Sequence, residues 1–186
     1  MHEIIPAVLA KSEDELKQQI GALPPEITFI HFDVLEEDVW TEFPQDFEAH
    51  LMVKEPERII QKWIDRGAKR ISVHAVGNFL TEFRDKAEMG LAIDLEKPLE
   101  EVLPLLDFVD FIHLMSIEEI GAQGHALDER IFNRLKEIQT KFPNTPISID
   151  GGITKSNYQK LLELGADRLV VGSHFKELWD SLKAEV

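Results

Sequence analysis

The chain has no cysteine. That excludes a disulfide framework and any thiolate metal site, and it suits a reducing cytosol. No apolar run approaches the ~20 residues that a helix needs to cross a bilayer. Basic residues are scarce: 20 Lys and Arg stand against 35 Asp and Glu, a formal charge of -15. Such a surface repels nucleic acid and anionic lipid, so neither is expected as a partner. It repels phosphorylated small molecules too, unless a bound cation and backbone N–H groups reverse the field locally. The apolar stretch near the start of MHEIIPAVLAKSEDE is short and runs straight into acidic residues, unlike a signal peptide. Linkers and low-complexity tracts are missing as well, so residues 1–186 read as one domain, expected in the cytoplasm.

What the chain does have is alternation. Apolar runs rich in Val, Ile and Phe fall at 3–9, 27–34, 47–53, 70–75, 90–94, 108–116, 146–150 and 168–172. Such composition marks buried parallel strands. Amphipathic segments separate them. Ser12 and Glu15 suggest a capping box ahead of Leu16 and Ile20. Ile59, Ile60, Trp63 and Ile64 share one helical face, and Ile131, Leu135 and Ile138 another. Pro98 suits a first helical turn, Pro104 shortens or kinks that helix, and Thr154 could cap a helix over 155–164. Eight strand-like runs in this order predict a compact (β/α)8 TIM barrel, with an open doubly wound sheet as the alternative. One unit is short: residues 35–46, LEEDVWTEFPQD, leave no room for a full crossover helix. The second barrel helix is therefore expected to be shortened or missing. The core it leaves uncovered would favour self-association, with Trp40 and Phe43 as candidate contacts.

Barrel chemistry sits at the C-terminal ends of the strands. His31 and Asp33 end the second run and share a face, as do His50 and Met52 in the third. His74 ends the fourth, Asp150 the seventh, and Gly172-Ser173 the eighth. Two imidazoles and two carboxylates converging from both sides of a barrel mouth, His31, Asp33, His50 and Asp150, suit one divalent transition metal: zinc, iron, manganese or cobalt. Gly151, Gly152, Gly172 and Ser173 follow neighbouring strands seven and eight, where backbone N–H groups of such barrels receive phosphate.

These segments, in this order, resemble the ribulose-phosphate 3-epimerase family. IIPAVLA resembles its first strand, FIHFDV its second, EAHLMVKEPER its third and VHA its fourth. LMS, SIDGGIT and GADRLVVGS are similar to its sixth, seventh and eighth. The resemblance implies a ribulose-phosphate-binding barrel and an isomerase that inverts the carbon next to a ketone in a sugar phosphate. Asp33 and Asp150 would be its two bases, His31, Asp33, His50 and Asp150 its metal ligands, and Met52, His74 and Met115 pocket lining.

Several positions depart from that pattern. Ala7 replaces a serine, Leu35-Glu36-Glu37 a longer turn, and Ile117 to Gly124 a glycine-rich flap, while Asp94 is more acidic than usual. Glu118 and Glu119 matter most, because a like charge ~4 Å from a phosphate costs about 4 kcal/mol at an effective dielectric of ~20. His113, on the same face as Met115, receives no role from the resemblance and reads as a structural pocket histidine. Three alternatives stand beside the epimerase of a ketopentose phosphate. An epimerase-like enzyme acting on a different sugar phosphate would fit the altered loops. A barrel decarboxylase or Schiff-base aldolase would need a lysine that no strand here clearly supplies. A non-catalytic metal- or phosphate-binding barrel would fit the altered flap, but the retained Asp33 and Asp150 speak against it.

Overall fold

A computed structural model of the protein describes residues 2–74, 77–118 and 120–184. Its eight strands are β1 (Glu3–Leu9), β2 (Phe29–Val34), β3 (Asp46–Leu51), β4 (Arg70–Val73), β5 (Glu88–Ile93), β6 (Phe111–Met115), β7 (Ile147–Asp150) and β8 (Arg168–Val171). They pair in chain order, all parallel, and β1 closes on β8. The barrel, not the open sheet, is therefore the architecture. Each strand lies within its expected run or at most two residues outside it. Ala75, at the end of the expected fourth run, lies outside the described residues.

Around the barrel stand α1 (Glu13–Gly21), α2 (Ile60–Asp65), α3 (Leu99–Val102), α4 (Arg130–Lys141), α5 (Tyr158–Glu163) and α6 (Phe175–Ala184). The Ser12 side chain caps α1 through Glu15 N, and the Glu15 carboxylate turns back to Lys11 N rather than to Ser12 N. Pro104 has the expected effect: α3 stops after four residues and continues as a 3-10 turn over Leu103–Phe108. Thr154 does not cap α5. Asn157 occupies that position, and its side chain instead bridges Thr154 N and the Gly152 carbonyl.

Between β2 and β3 no helix forms among the described residues. An aromatic plug replaces it. Trp40 and Phe43 lie on Phe32, Phe47 and Trp63, with ring centroids 5.1–6.5 Å apart throughout. Arg66 stacks over Trp40 and Trp63, and Asp38 ties the loop down through Lys62 and Arg66. The core under this unit is covered by the chain's own loop. Among the described residues the core under this unit is thus packed over, with Trp40 and Phe43 themselves only partly buried.

The barrel interior is unusually polar. Its lower layer is a ring of ions: Arg70 forks onto Glu3 at 2.9 and 3.0 Å, and Arg168 reaches Glu88 at 2.9 Å. Phe111 fills the space beside them. It can do so because its register neighbour is Gly90, where a Cβ would stand 2.3 Å from the ring. Above this layer the strands send in histidines and carboxylates.

Candidate active site and metal centre

Alternation along each strand decides which side chains enter the mouth. β2 contributes His31 and Asp33, β3 Glu48 and His50, β6 His113 and Met115, and β7 Ser148 and Asp150. His31 Nε2 lies 3.1 Å from Asp33 Oδ1 and 3.6 Å from Asp150 Oδ2. His50 Nδ1 lies 3.3 and 3.6 Å from the same two oxygens. The four residues singled out from the sequence as ligands thus meet at one point. Asp33 and Asp150 each keep 12% of their side chains exposed while His31 and His50 keep none, so an entering molecule meets the carboxylates first.

Three neighbours were not assigned to this point from the sequence. Glu48 Oε1 accepts from His31 Nδ1 at 2.7 Å, which fixes the ring with Nε2 toward the carboxylates. His113 Nε2 reaches Asp150 Oδ2 at 3.1 Å. Asp94 Oδ1 lies 2.9 Å from His74 Nδ1, and His74 Nε2 is 2.8 Å from His50 Nε2. Glu48 carried a signal that could have been used: it stands two residues before His50, on the same face of the strand. His74 reaches the cluster behind His50 and does not line the pocket itself.

Electrostatics follow from burial and pairing. Burial opposes charge on His31, but Asp33, Glu48 and Asp150 overcome it and hold the ring protonated well above the usual range. His50 is raised too: burial opposes its charge, and the Asp150 and Asp33 carboxylates outweigh it. Burial dominates at His113 and lowers it to about 4, so this imidazole is neutral. Burial would raise Asp150, yet His113, His50 and His31 drive it far below the carboxylate range. Asp33 and Glu48 are likewise lowered against burial, chiefly by His31. Three buried carboxylates thus draw positive charge to one point.

That point fits a divalent cation. His50 Nδ1 is buried without a hydrogen-bond partner while aimed at the two aspartates. His31, His50, His113 and Asp150 each offer one donor atom, all within 4.8 Å of one another. Imidazole and carboxylate donors match zinc, iron, cobalt or manganese. Glu48 on His31 is the kind of outer partner that orients a ligating histidine.

Beside the carboxylates opens a pocket of about 520 Å³, mouth included, lined by Asp33, Asp150, Met52, Met115, Gly151, Gly152, Gly172 and Ser173 among others. The candidate phosphate residues therefore share one cavity with the candidate bases. Gly151 and Gly152 have φ of 110° and 64°, conformations that favour glycine. A Cβ on Gly152 would also stand 2.1 Å from Leu127 N. The Ile117 to Gly124 segment still closes one side: Ile117 packs on Gly151, and Gln123 lies over Gly172 and donates to the Ala7 carbonyl at 3.3 Å. Glu118 turns away to Arg130 at 2.5 Å, so the repulsion expected from it does not arise. Glu119 lies outside the described residues.

The signature of the Ribulose-phosphate 3 epimerase family matches residues 3–176. The chain belongs to the ribulose-phosphate 3-epimerase family. It is 34% identical to ribulose-phosphate 3-epimerase of Aquifex aeolicus over 138 residues, 68% of this chain and 61% of that one. It is 24% identical to the Schizosaccharomyces pombe enzyme over 195 aligned positions, 92% of this chain and 85% of that one. The chloroplastic ribulose-5-phosphate-3-epimerase of Arabidopsis thaliana is 30% identical over 145 residues, 72% of this chain and 50% of that one. The matched part thus spans less than two thirds of two of these three relatives. Among solved structures, a native KDPGal structure superposes with a TM-score of 0.72 at 10% identity, covering 97% of this chain and 94% of that one. A mutant tryptophan synthase α-subunit from Pyrococcus furiosus superposes with 0.67 at 13% identity, covering 97% and 96%. Those two likenesses establish the barrel alone. Among the described residues of this family member no lysine is buried or lines the pocket, which leaves a Schiff-base reaction without its nucleophile.

Proposed function

We propose that the protein is a metal-dependent epimerase of a ketopentose phosphate, interconverting ribulose 5-phosphate and xylulose 5-phosphate or a close analogue. The observation that carries this reading is the shared cavity: Asp33 and Asp150, from strands β2 and β7, reach the pocket that Gly151, Gly152, Gly172 and Ser173 also line. One carboxylate removes the proton from carbon 3 on one face, and the other returns a proton on the opposite face. Their lowered pKa values let either begin as the base, and the one that acts as the acid first takes up a proton from the solvent that reaches both partly exposed carboxylates. His31, Asp33, His50 and Asp150 would hold the cation, which would supply Lewis acidity toward negative charge developing on the substrate oxygens. Glu48 and the His74–Asp94 pair orient His31 and His50. Gly151 and Gly152 let the backbone approach the phosphate, and Met52 and Met115 give the sugar an apolar wall that limits water. No helix among the described residues is long and apolar enough to cross a membrane.

The test is incubation of metal-loaded protein with ribulose 5-phosphate in D2O, with the carbon 3 proton followed by NMR. Solvent deuterium at carbon 3 together with xylulose 5-phosphate, both absent in Asp150→Asn, is the expected result. No exchange with zinc, iron, manganese or cobalt removes this substrate.

A further inference from the structure

His113 remains unaccounted for by this reading. Its ring is fully buried at the centre of the barrel, stacked on His31 at 5.3 Å and tilted against His50 at 4.7 Å. Its register neighbours are Ala92 on β5 and Ser148 on β7, both small, which leaves the ring free to point upward to the carboxylates. The Nδ1 atom has no hydrogen-bond partner. Nε2 stands 3.1 Å from Asp150 Oδ2, closer than His31 or His50, which are each 3.6 Å away.

Three imidazole nitrogens therefore surround one carboxylate oxygen. Only His113 is within hydrogen-bond distance of that oxygen; His31 Nε2 pairs with Asp33 Oδ1 at 3.1 Å, and His50 Nδ1 has no hydrogen-bond partner. The arrangement makes sense for lone pairs meeting at a cation. A tetrahedral site with bonds of ~2.0–2.1 Å has donor–donor edges of about 3.4 Å. The edges to Asp150 Oδ2 are 3.1, 3.6 and 3.6 Å.

We propose that His113 is a metal ligand, the third imidazole of the centre formed by His31, Asp33, His50 and Asp150. This rests on the metal site proposed for epimerisation and gives that site a nitrogen-rich character, favouring zinc, cobalt or iron over manganese. The His113 ligand comes from β6, so the centre draws donors from β2, β3, β6 and β7 and is held on both sides of the barrel.

The test counts imidazoles. X-ray absorption at the zinc edge should find three in the wild-type protein and two in His113→Leu. Competition with a chelator should show zinc affinity falling in His113→Leu by more than the ~10–100-fold typical of losing an outer-shell partner. Glu48→Gln, which removes only an outer partner, should keep three imidazoles. Melting of the metal-free forms checks that His113→Leu folds; if it does not, the wild-type count alone decides. Two imidazoles in the wild type, equal zinc affinity in His113→Leu, or no zinc bound by the wild type each overturn the proposal. A wild type with three imidazoles and no epimerisation would leave the ligand assignment standing and sink the catalytic reading instead.

Discussion

At the scale of single residues, the site is governed by the balance between burial and charge. Asp33, Glu48 and Asp150 are buried carboxylates, and in the metal-free protein their charge is met by protons on His31 and His50. A divalent cation takes the place of those protons, so its uptake should release up to about two per cation. Because both rings are held protonated above the ordinary imidazole range, zinc affinity should keep rising with pH beyond that range. Calorimetric titrations in buffers of different ionisation enthalpy measure the release, and zinc uptake without proton release would contradict this charge balance. The two bases make a second prediction. Asp33→Asn and Asp150→Asn should each lower kcat by about 10²–10⁴-fold, the usual worth of a positioned proton-transfer group. Epimerisation in Asp33→Asn within tenfold of wild type would remove that residue from the mechanism.

At the scale of elements, the β2–β3 connection shows how a barrel dispenses with a helix. Trp40 bridges Phe32, Phe47 and Trp63 and carries Arg66 on its face. Trp40→Ala should destabilise the protein by about 2–3 kcal/mol, less than a fully buried tryptophan because the ring is only partly buried. The variant should also expose apolar surface and aggregate on heating. Asp38 ties the same loop. Arg66 first, then Lys62, lower its carboxyl to about 2, well below the usual carboxylate range. A lowered pKa stabilises the fold above the unfolded value and ceases to do so as pH falls through about 2. Because half of the Asp38 side chain is exposed, Asp38→Asn should cost no more than about 1 kcal/mol at pH 7 and nothing near pH 2. Urea titrations at the two pH values check both the size and the sign.

The strands and the plug differ in how far they can be read from sequence. All eight strands were legible because each carries a Val/Ile/Phe run bounded by turn residues, and parallel burial demands such runs. His31, Asp33, His50 and Asp150 were legible because strand ends in a barrel point to one place. The aromatic plug was not: Trp40 and Phe43 have no periodicity, and their inward packing is set by Trp63, some twenty residues further along the chain. Likewise Glu118 and Arg130 had to be placed in space before the glutamate could be seen to face outward. His113 was hidden for a different reason. Its position on β6 was clear, but whether its ring meets solvent, packing or donors depends on Ala92 and Ser148 in the strands beside it.

At the scale of the whole molecule, the charge of -15 bears on how an anionic substrate arrives. The carboxylates that face the pocket are themselves neutralised by histidine protons or by a cation, so the short-range field is set locally. The long-range field is not: with 35 acidic side chains against 20 basic ones, the molecule as a whole repels the phosphate of the proposed substrate. At low ionic strength, near 10 mM, the Debye length is about 30 Å, comparable with the protein itself, and most of that charge is felt by an approaching dianion. At 150 mM it is about 8 Å, and only charges at the mouth remain effective. Repulsive steering slows capture without altering proton transfer. Raising ionic strength over this range should therefore increase kcat/KM for ribulose 5-phosphate several-fold while kcat stays constant, the reverse of what a positively steered enzyme shows. A kcat/KM that is flat or falls with salt would mean that cationic groups at the mouth, with the bound metal, already cancel the field of the whole acidic surface.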